Sequence, residues 1–301
     1  MEIRITPLQA ARRMIVTFAL PALHLHINTR PLDFISHMLG DEGAGSLFAY
    51  LKAKGWITNL IAGSGIEGQG FKDFNINLQL TEAGLAHQAD IVSAVFSMIE
   101  LLKKSASEGW RLQEKAKLNQ LARQYDDSHK PLQAMCDLAE LHQYFSWQAI
   151  SEACQREALT SEALIEALSH FIPENLRIKT IAQDLQTDRR CEYYDAAYAI
   201  SALPAEQLAS WQNPPEINAI SLPPPNPYIG DSYSLCPLDN RFALPQAIRE
   251  DKGASFWFCQ DHKFRVPKGD VFISFDTPSL AQNIHQAVSY THLTLPTTSF
   301  V

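Results

Sequence analysis

The sequence predicts an α+β fold, with a mostly antiparallel sheet covered by helices on one face and the start of a second, similar domain. Between Phe71 and Leu80, apolar and polar side chains alternate, which is typical of a strand with one buried face. From Leu85 to Leu102, apolar residues recur at helical spacing and predict a helix with one buried stripe. Six prolines within the fifteen residues from Asn213 to Pro227 then indicate a change from core elements to an extended segment.

The first elements can be placed from local signals. Strands are predicted near Ile3–Thr6 and Met14–Ala19. A helix begins at Pro31 and is closed by Gly40. A second helix begins after Ser46, a favoured capping residue, and ends at Gly55, a favoured residue for a left-handed C-terminal cap.

A strand pair, Trp56–Ala62 and Phe71–Leu80, is predicted next, joined by a glycine-rich loop. Gly63, Gly65 and Gly68 in that loop satisfy the spacing G-x-G-x-x-G, which is found in dinucleotide-binding sites. Such a site needs a helix after the glycines, whereas here an alternating strand follows, so we interpret the glycines as a hairpin loop.

The rest of the first domain is predicted to be mainly helical. Thr81 can cap a single helix that runs down to Lys103 and Lys104. The remaining predicted elements are helices at Glu108–Arg123, Pro131–Phe145, Ser161–Phe171 and Pro204–Trp211, and a strand near Arg177–Ile181.

We predict four segments along the chain. Residues 1–213 form the α+β domain, and residues 214–231 form a stiff, proline-rich linker. Residues 232–287 are an incomplete second domain whose first strands are Phe256–Cys259 and Val271–Phe275. Residues 288–301 resemble translated sequencing-adaptor sequence and are set aside as an artefact.

Composition limits the partners. A formal charge of -8 and a pI near 5.7 argue against nucleic acid and against anionic membrane surfaces, which both need clustered cations. No run reaches the roughly 18 apolar residues of a membrane span. We expect a soluble piece and leave cytoplasmic and periplasmic locations open.

Metal-binding motifs of zinc hydrolases are missing from the sequence. H-E-x-x-H and the inverted H-x-x-E-H supply two histidine ligands and a glutamate base, yet no His-Glu or Glu-His dipeptide occurs. We therefore expect no catalytic residue and no metal ligand in this chain, and no peptidase activity from the chain alone.

A resemblance to a known family rests on the segment HMLGDEGAGSLFAYLKAKGWITNLIA, residues 37–62. Its E-G-x-G-S turn between two helices, followed by K-G-W and a strand, resembles the second domain of the pitrilysin and insulin-degrading-enzyme family of zinc metallopeptidases. Later motifs that fit in the same order over residues 1–287 are L-T-x-x-G-L (80–85), P-E-N-L-R (173–177), P-N-P-Y-I (225–229) and F-W-F-C-Q-D-H-K-F-R-V-P-K (256–268).

The resemblance implies a four-domain protease, of the inverzincin type, whose two bowl-like halves enclose peptide substrates. This piece corresponds to domain two and the opening of domain three. The zinc cofactor is implied for the parent protein only, in the amino-terminal catalytic domain, and further substrate contacts in the carboxy-terminal half. Those two parts and peptide substrates are the implied partners.

Within that resemblance, six residues correspond to the family's exosite for the free amino end of a substrate: His37, Gly40, Glu42, Leu60, Ile61 and Ala62. The Glu42 carboxylate can pair with an ammonium group, and residues 60–62 can offer an edge strand. Ala62 stands where relatives tend to carry glycine. The alternative is that Gly40 and its neighbours only cap and connect two helices.

Two other functions stay open at this point. One is a non-catalytic relative, such as a processing-peptidase partner or respiratory core subunit, which keeps the fold for binding or assembly. The other is an unrelated α+β binding module. The linker with its P-N-P-Y-I segment favours the protease.

Overall fold

The computed structural model describes residues 1–23, 26, 29–125, 131–153, 159–230, 232–263 and 265–274. The chain divides into two compact units. The first consists of Met1–Lys117 and His129–Asn226, and the second of Leu118–Ser128 and Pro227–Val301. Each is described by itself.

A seven-stranded sheet organises the first unit. Its strands are β1 (Glu2–Thr6), β2 (Arg13–Leu20), β3 (Ile57–Gly68), β4 (Phe71–Leu80), β5 (Leu176–Ile181), β6 (Arg189–Arg190) and β7 (Ala197–Ser201). They lie in the order β3-β4-β2-β5-β1-β7-β6. Every neighbouring pair is antiparallel except β1 and β5, which are parallel. The α+β class with a mostly antiparallel sheet is confirmed.

Most helices among the described residues lie where the sequence predicts helical structure. They are α1 (Pro31–Leu39), α2 (Leu47–Ala53), α3 (Glu82–Ala86), α4 (Gln88–Ser105), α5 (Gly109–Gln124), α6 (Pro131–His142), α7 (Trp147–Ala153), α8 (Ser161–Ser169) and α9 (Ala205–Gln212). The two predicted caps are present, since the side chain of Ser46 accepts from the Ala49 amide and that of Thr81 from the Gly84 amide. α7, β6 and β7 were not predicted from the sequence.

One face of the sheet carries the core. Phe18, Phe74 and Phe171 are fully buried, with the Phe171 ring centroid 5.0 Å from that of Phe18 and 5.2 Å from that of Phe74. Phe96 on α4 meets Phe18 edge to face at 5.7 Å and stacks on Trp211 of α9. This aromatic cluster ties two central strands to α4 and α9.

The opposite face keeps access to solvent, and we call it the open face. All its side chains are exposed or half-buried except that of Thr17, which is buried. Registers between the strands place the following residues on it: Ile3 and Ile5 of β1, Arg13, Ile15, Thr17 and Ala19 of β2, Asp73, Asn75, Asn77 and Gln79 of β4, Arg177, Lys179 and Ile181 of β5, and Tyr198 and Ile200 of β7.

The glycine-rich segment differs from the prediction. Gly63, Gly65 and Gly68 belong to β3, which pairs with β4 as far as Gly68, and only two residues remain for the turn. A Cβ atom on Gly65 would lie 2.0 Å from Nδ2 of Asn75 and 2.2 Å from Oδ1 of Asp73. A Cβ atom there would push these two β4 side chains aside, so glycine leaves them room to lie across β3.

The single helix predicted after Thr81 is wrong, because the chain breaks at His87 into α3 and α4. A Cβ atom on Gly84 would lie 1.9 Å from the carbonyl oxygen of Trp56, so α3 packs directly on backbone. The His87 ring stacks on Trp56 at 4.7 Å and its Nδ1 lies 2.8 Å from Oδ2 of Asp90. These contacts hold the break in place.

Part of the segment predicted as linker packs on the core of the first unit. Ile220 is buried, and the Ser97 hydroxyl donates to the carbonyl oxygen of Pro215 at 2.8 Å. The division between the two units falls after Asn226. The domain bounds given above stay a prediction.

The second unit contains one two-stranded hairpin, β8 (Gln246–Asp251) and β9 (Ala254–Phe258), among the residues described. The strand predicted near residue 256 is confirmed as β9, whose Trp257 and Phe258 are exposed. The strand predicted at Val271–Phe275 is wrong over residues 271–274, which have no regular structure, and its last residue lies outside the described ones. Residues 288–301 also lie outside them.

Candidate functional site

The six predicted site residues lie on three connected pieces of the first unit. His37 is in the last turn of α1, Gly40 and Glu42 are in the bend between α1 and α2, and residues 60–62 are in β3. A Cβ atom on Gly40 would be 3.9 Å from Cβ of Ala62. The structure therefore brings the end of α1 directly against β3.

The bend is fixed by its own hydrogen bonds. The Asp41 carboxylate accepts from the Gly43 amide at 3.1 Å, and the Ser46 amide donates to the Gly43 carbonyl at 3.1 Å. Gly45 has a left-handed φ of 83°, and its carbonyl accepts from the Ser221 amide at 2.8 Å. The Glu42 carboxylate is exposed on a bend that is held from both sides.

The strand beside the bend is at an edge of the sheet. β3 is the outermost strand on its side, and no strand pairs with its outer edge in the part of the chain that the structure describes. Leu60 is 2% exposed and belongs to the core, whereas Ile61 is 60% exposed. Leu60 can therefore meet a ligand only through its backbone, while Ile61 can offer its side chain.

Sequence reasoning missed Ser36. Its hydroxyl donates to the carbonyl oxygen of Ala62 at 2.6 Å and so joins α1 to the edge of β3. A carbonyl oxygen has two lone pairs, so an added strand can share this oxygen with Ser36. The only signal for Ser36 in the sequence was a small polar residue among apolar positions of a helix. The structure buries two of those positions, Ile35 and Met38.

The charge of His37 is set by its surroundings. Partial burial of the ring lowers the pKa of His37, and the nearby Lys115 ammonium lowers it further, against the opposing carboxylates of Asp41 and Glu114. The residue as a whole remains exposed. Because its pKa is lowered, the ring is mainly uncharged at neutral pH.

Metal ligands do not gather at this site. Among the described residues, no three side chains of the types His, Cys, Asp and Glu are grouped so that they could hold a metal ion. Over the same residues, no helix is long and apolar enough to cross a membrane. The chemistry available at the bend and the β3 edge is hydrogen bonding and ion pairing.

Comparison with protein-family models gives two matches. Residues 2–117 match the model of the peptidase M16 inactive domain. Residues 124–295 match the model of the middle or third domain of peptidase M16. The second match alone covers more than half of the chain.

Two curated relatives are similar over nearly the whole chain. Human insulin-degrading enzyme is 31% identical over 97% of this chain, and the A-factor-processing enzyme of Saccharomyces cerevisiae is 27% identical over 92% of it. The matched regions make up 29% and 27% of those two proteins. The chain thus spans less than a third of the relatives that it matches.

A solved structure confirms the fold. The crystal structure of pitrilysin superposes with a TM-score of 0.73 over 88% of this chain and 28% of that one, at 22% identity. Matching models of the inactive domain and of the middle domain follow each other in the order that the family resemblance implies. The chain belongs to the peptidase M16 family, of which it carries an inactive peptidase domain and middle-domain sequence.

Proposed function

We propose that this chain is part of a zinc metalloendopeptidase that degrades peptides in an enclosed chamber. In this proposal it supplies a wall of the chamber and an exosite for the free amino end of the substrate, while another domain holds the catalytic zinc. The observation that carries the exosite is the contact of Gly40, at the end of α1, with Ala62 on a strand edge that no described strand pairs with.

The exosite binds a peptide through two kinds of contact. The ammonium group of the peptide pairs with the exposed Glu42 carboxylate, an interaction that a free amino end makes and an acetylated one does not. The peptide backbone then adds to β3 as a further strand, through the outward-facing polar groups of residues 60–62. Because the contacts along β3 are made by backbone, many peptide sequences can bind.

We expect this chain to hold no zinc. The inverted zinc motif is missing from the sequence, and the residues that the structure describes form no ligand group. In the parent protein, zinc bound by the amino-terminal domain would activate the water that attacks the peptide bond. This chain binds and orients peptide and takes no part in proton transfer.

The exosite is tested in the full-length parent enzyme with the substitution Glu42→Gln. Two peptides of identical sequence are compared, one with a free and one with an acetylated amino end. We expect Glu42→Gln to weaken binding of the free peptide about tenfold, or roughly 1.4 kcal/mol, and to leave the acetylated peptide unchanged. Equal effects on the two peptides, or none, would reduce the bend to scaffolding.

The non-catalytic relative is the second candidate, and the match of residues 2–117 to an inactive peptidase domain favours it for this part of the protein. The reading frame upstream of Met1 decides between the two. An H-x-x-E-H motif there, with peptide cleavage that a chelator abolishes, supports the enzyme. A parent protein that binds peptides, lacks the motif and does not cleave supports the relative.

A further inference from the structure

We propose that the open face of the seven-stranded sheet binds an acidic, extended peptide segment with interspersed apolar side chains. The cations of this surface, on β2 and β5, are separated from the β3 edge by β4. The inference holds whether or not that edge anchors an amino end. It starts from the distribution of charge over the open face.

Charge on the open face is opposite in sign to that of the whole chain. The chain has a formal charge of -8. On β4, β2, β5, β1 and β7, the charged open-face residues are three cations, Arg13, Arg177 and Lys179, and one carboxylate, Asp73. The Asp73 side chain is 14% exposed and lies 3.8 Å from Arg177, so a guanidinium group already partly neutralises it.

The cations are close enough to act together. Arg177 and Lys179 are two residues apart on β5, which separates them by about 7 Å along the strand. Ile15 lies opposite Lys179, and Arg13 lies two residues before Ile15 on β2, which places Arg13 about 8 Å from Lys179. Both separations from Lys179 are close to the Debye length at physiological salt, about 8 Å, so the potential of Lys179 adds to that of each arginine.

Two of the cations are available to a ligand. In the part of the chain that the structure describes, Arg13 and Lys179 have no carboxylate within 4.0 Å. The Asp73 carboxylate is already hydrogen-bonded within the face. Its Oδ1 accepts from the side-chain amide of Asn75, and the side-chain oxygen of Asn75 accepts from the Thr17 hydroxyl. The polar network of the face therefore occupies the carboxylate and leaves the cations of Arg13 and Lys179 free to pair.

Apolar side chains lie beside the cations in a defined row. Registers across the sheet put Lys179 between Ile15 and Ile3, with Ile200 beyond Ile3. Ile200 is 41% exposed, and Ile15 and Ile3 are half-buried. A ligand with carboxylates about 7 Å apart and apolar side chains on the same face matches this pattern. An extended peptide provides it when every second residue, which shares one face, is acidic at two successive such positions and apolar at the next ones.

The test is direct binding to the full 301-residue chain, measured by fluorescence anisotropy. The probes are a labelled peptide whose every second residue reads Glu, Glu, Leu, Leu, with Ser at the positions between, and a peptide in which Gln replaces each Glu. The face variant is Arg13→Glu with Lys179→Glu. Its matched control is Lys104→Glu with Lys252→Glu, two exposed lysines elsewhere that give the same change of net charge.

We expect the acidic peptide to bind at least tenfold more tightly than the Gln peptide. The face variant should lose at least tenfold of that affinity, and the control variant less than twofold. Equal loss in both variants would assign binding to net charge and overturn the proposal, as would equal binding of the two peptides. Competition by a single-stranded oligonucleotide at equal affinity would also overturn it, since the site would then accept any polyanion.

Circular dichroism checks that each variant is folded. If the double glutamate variant fails to fold, Arg13→Gln with Lys179→Gln is compared with Lys104→Gln and Lys252→Gln. These neutral variants should show at least a threefold loss on the face and none in the control. The same affinity in both neutral variants would overturn the proposal.

Discussion

Gly45 and Gly55 form a matched pair for testing how the bend of the candidate site is held. Both have left-handed φ values, 83° and 71°. A Cβ atom on Gly45 would lie 2.2 Å from the Ser221 hydroxyl oxygen, whereas one on Gly55 would have no atom within 4 Å. Substitution by alanine therefore adds the same backbone strain at both positions and a steric clash at only one.

The expected losses of unfolding free energy follow from the backbone strain and from the clash. An alanine in the left-handed region costs about 1–2 kcal/mol, which is the whole expected loss for Gly55→Ala. The clash at Gly45 makes the hydroxyl of the exposed Ser221 or the bend shift, at a further cost of about 0.5–1.5 kcal/mol. We expect Gly45→Ala to destabilise the chain by about 1.5–3.5 kcal/mol.

The assay is urea-induced unfolding, monitored by far-ultraviolet circular dichroism. The dependence of the unfolding free energy on urea concentration, the m value, is compared between variants. Adding Ser221→Gly to Gly45→Ala removes the hydroxyl that clashes and should recover the excess loss over Gly55→Ala. Equal losses for Gly45→Ala and Gly55→Ala, or no recovery in the double variant, would refute the packing of residues 214–222 against the bend.

Three further predictions concern the core, pH and metal. Phe171→Ala should lower the free energy of unfolding by about 3–5 kcal/mol in the same assay, since the buried ring contacts Phe18 and Phe74; a loss below about 1 kcal/mol would contradict the aromatic cluster. The lowered pKa of His37 means that the unfolded chain binds more protons below about pH 6.5, so stability should fall as pH drops through that window. His37→Gln should flatten this dependence in urea titrations at about pH 5 and 7.5, and an unchanged slope would contradict it. Metal analysis of the dialysed chain should find no stoichiometric zinc, because no set of three ligands is present among the described residues; one zinc per chain that survives mild chelation would reveal a missed site.

Elements with local signals could be predicted from the sequence. The alternation in β4 and the caps at Ser46 and Thr81 depend on residues within a few positions of one another, and the structure has them as expected. The resemblance carried by residues 37–62 located the bend and the edge strand together. Their contact, Gly40 against Ala62, could not be read from either segment alone.

Features that depend on distant residues were missed or wrong. β3 continues through its glycines because the side chains of Asp73 and Asn75 lie across it, which no local pattern reveals. The break at His87 depends on a contact with the backbone at Trp56. The charge of the open face is visible only once the registers bring Arg13 beside β5.

Amide hydrogen exchange at the β3 edge reports directly on whether a peptide with a free amino end adds to this strand. The chain is incubated in deuterated buffer alone, with a free-ended peptide, and with the same peptide acetylated. We predict slower exchange in Ile57–Gly68 with the free-ended peptide, little change with the acetylated one, and no change in β6 and β7 at the other edge. Unchanged exchange in β3 when the peptide is bound, or equal protection by both peptides, would contradict the account of this chain as the part of an M16 peptidase that anchors amino ends.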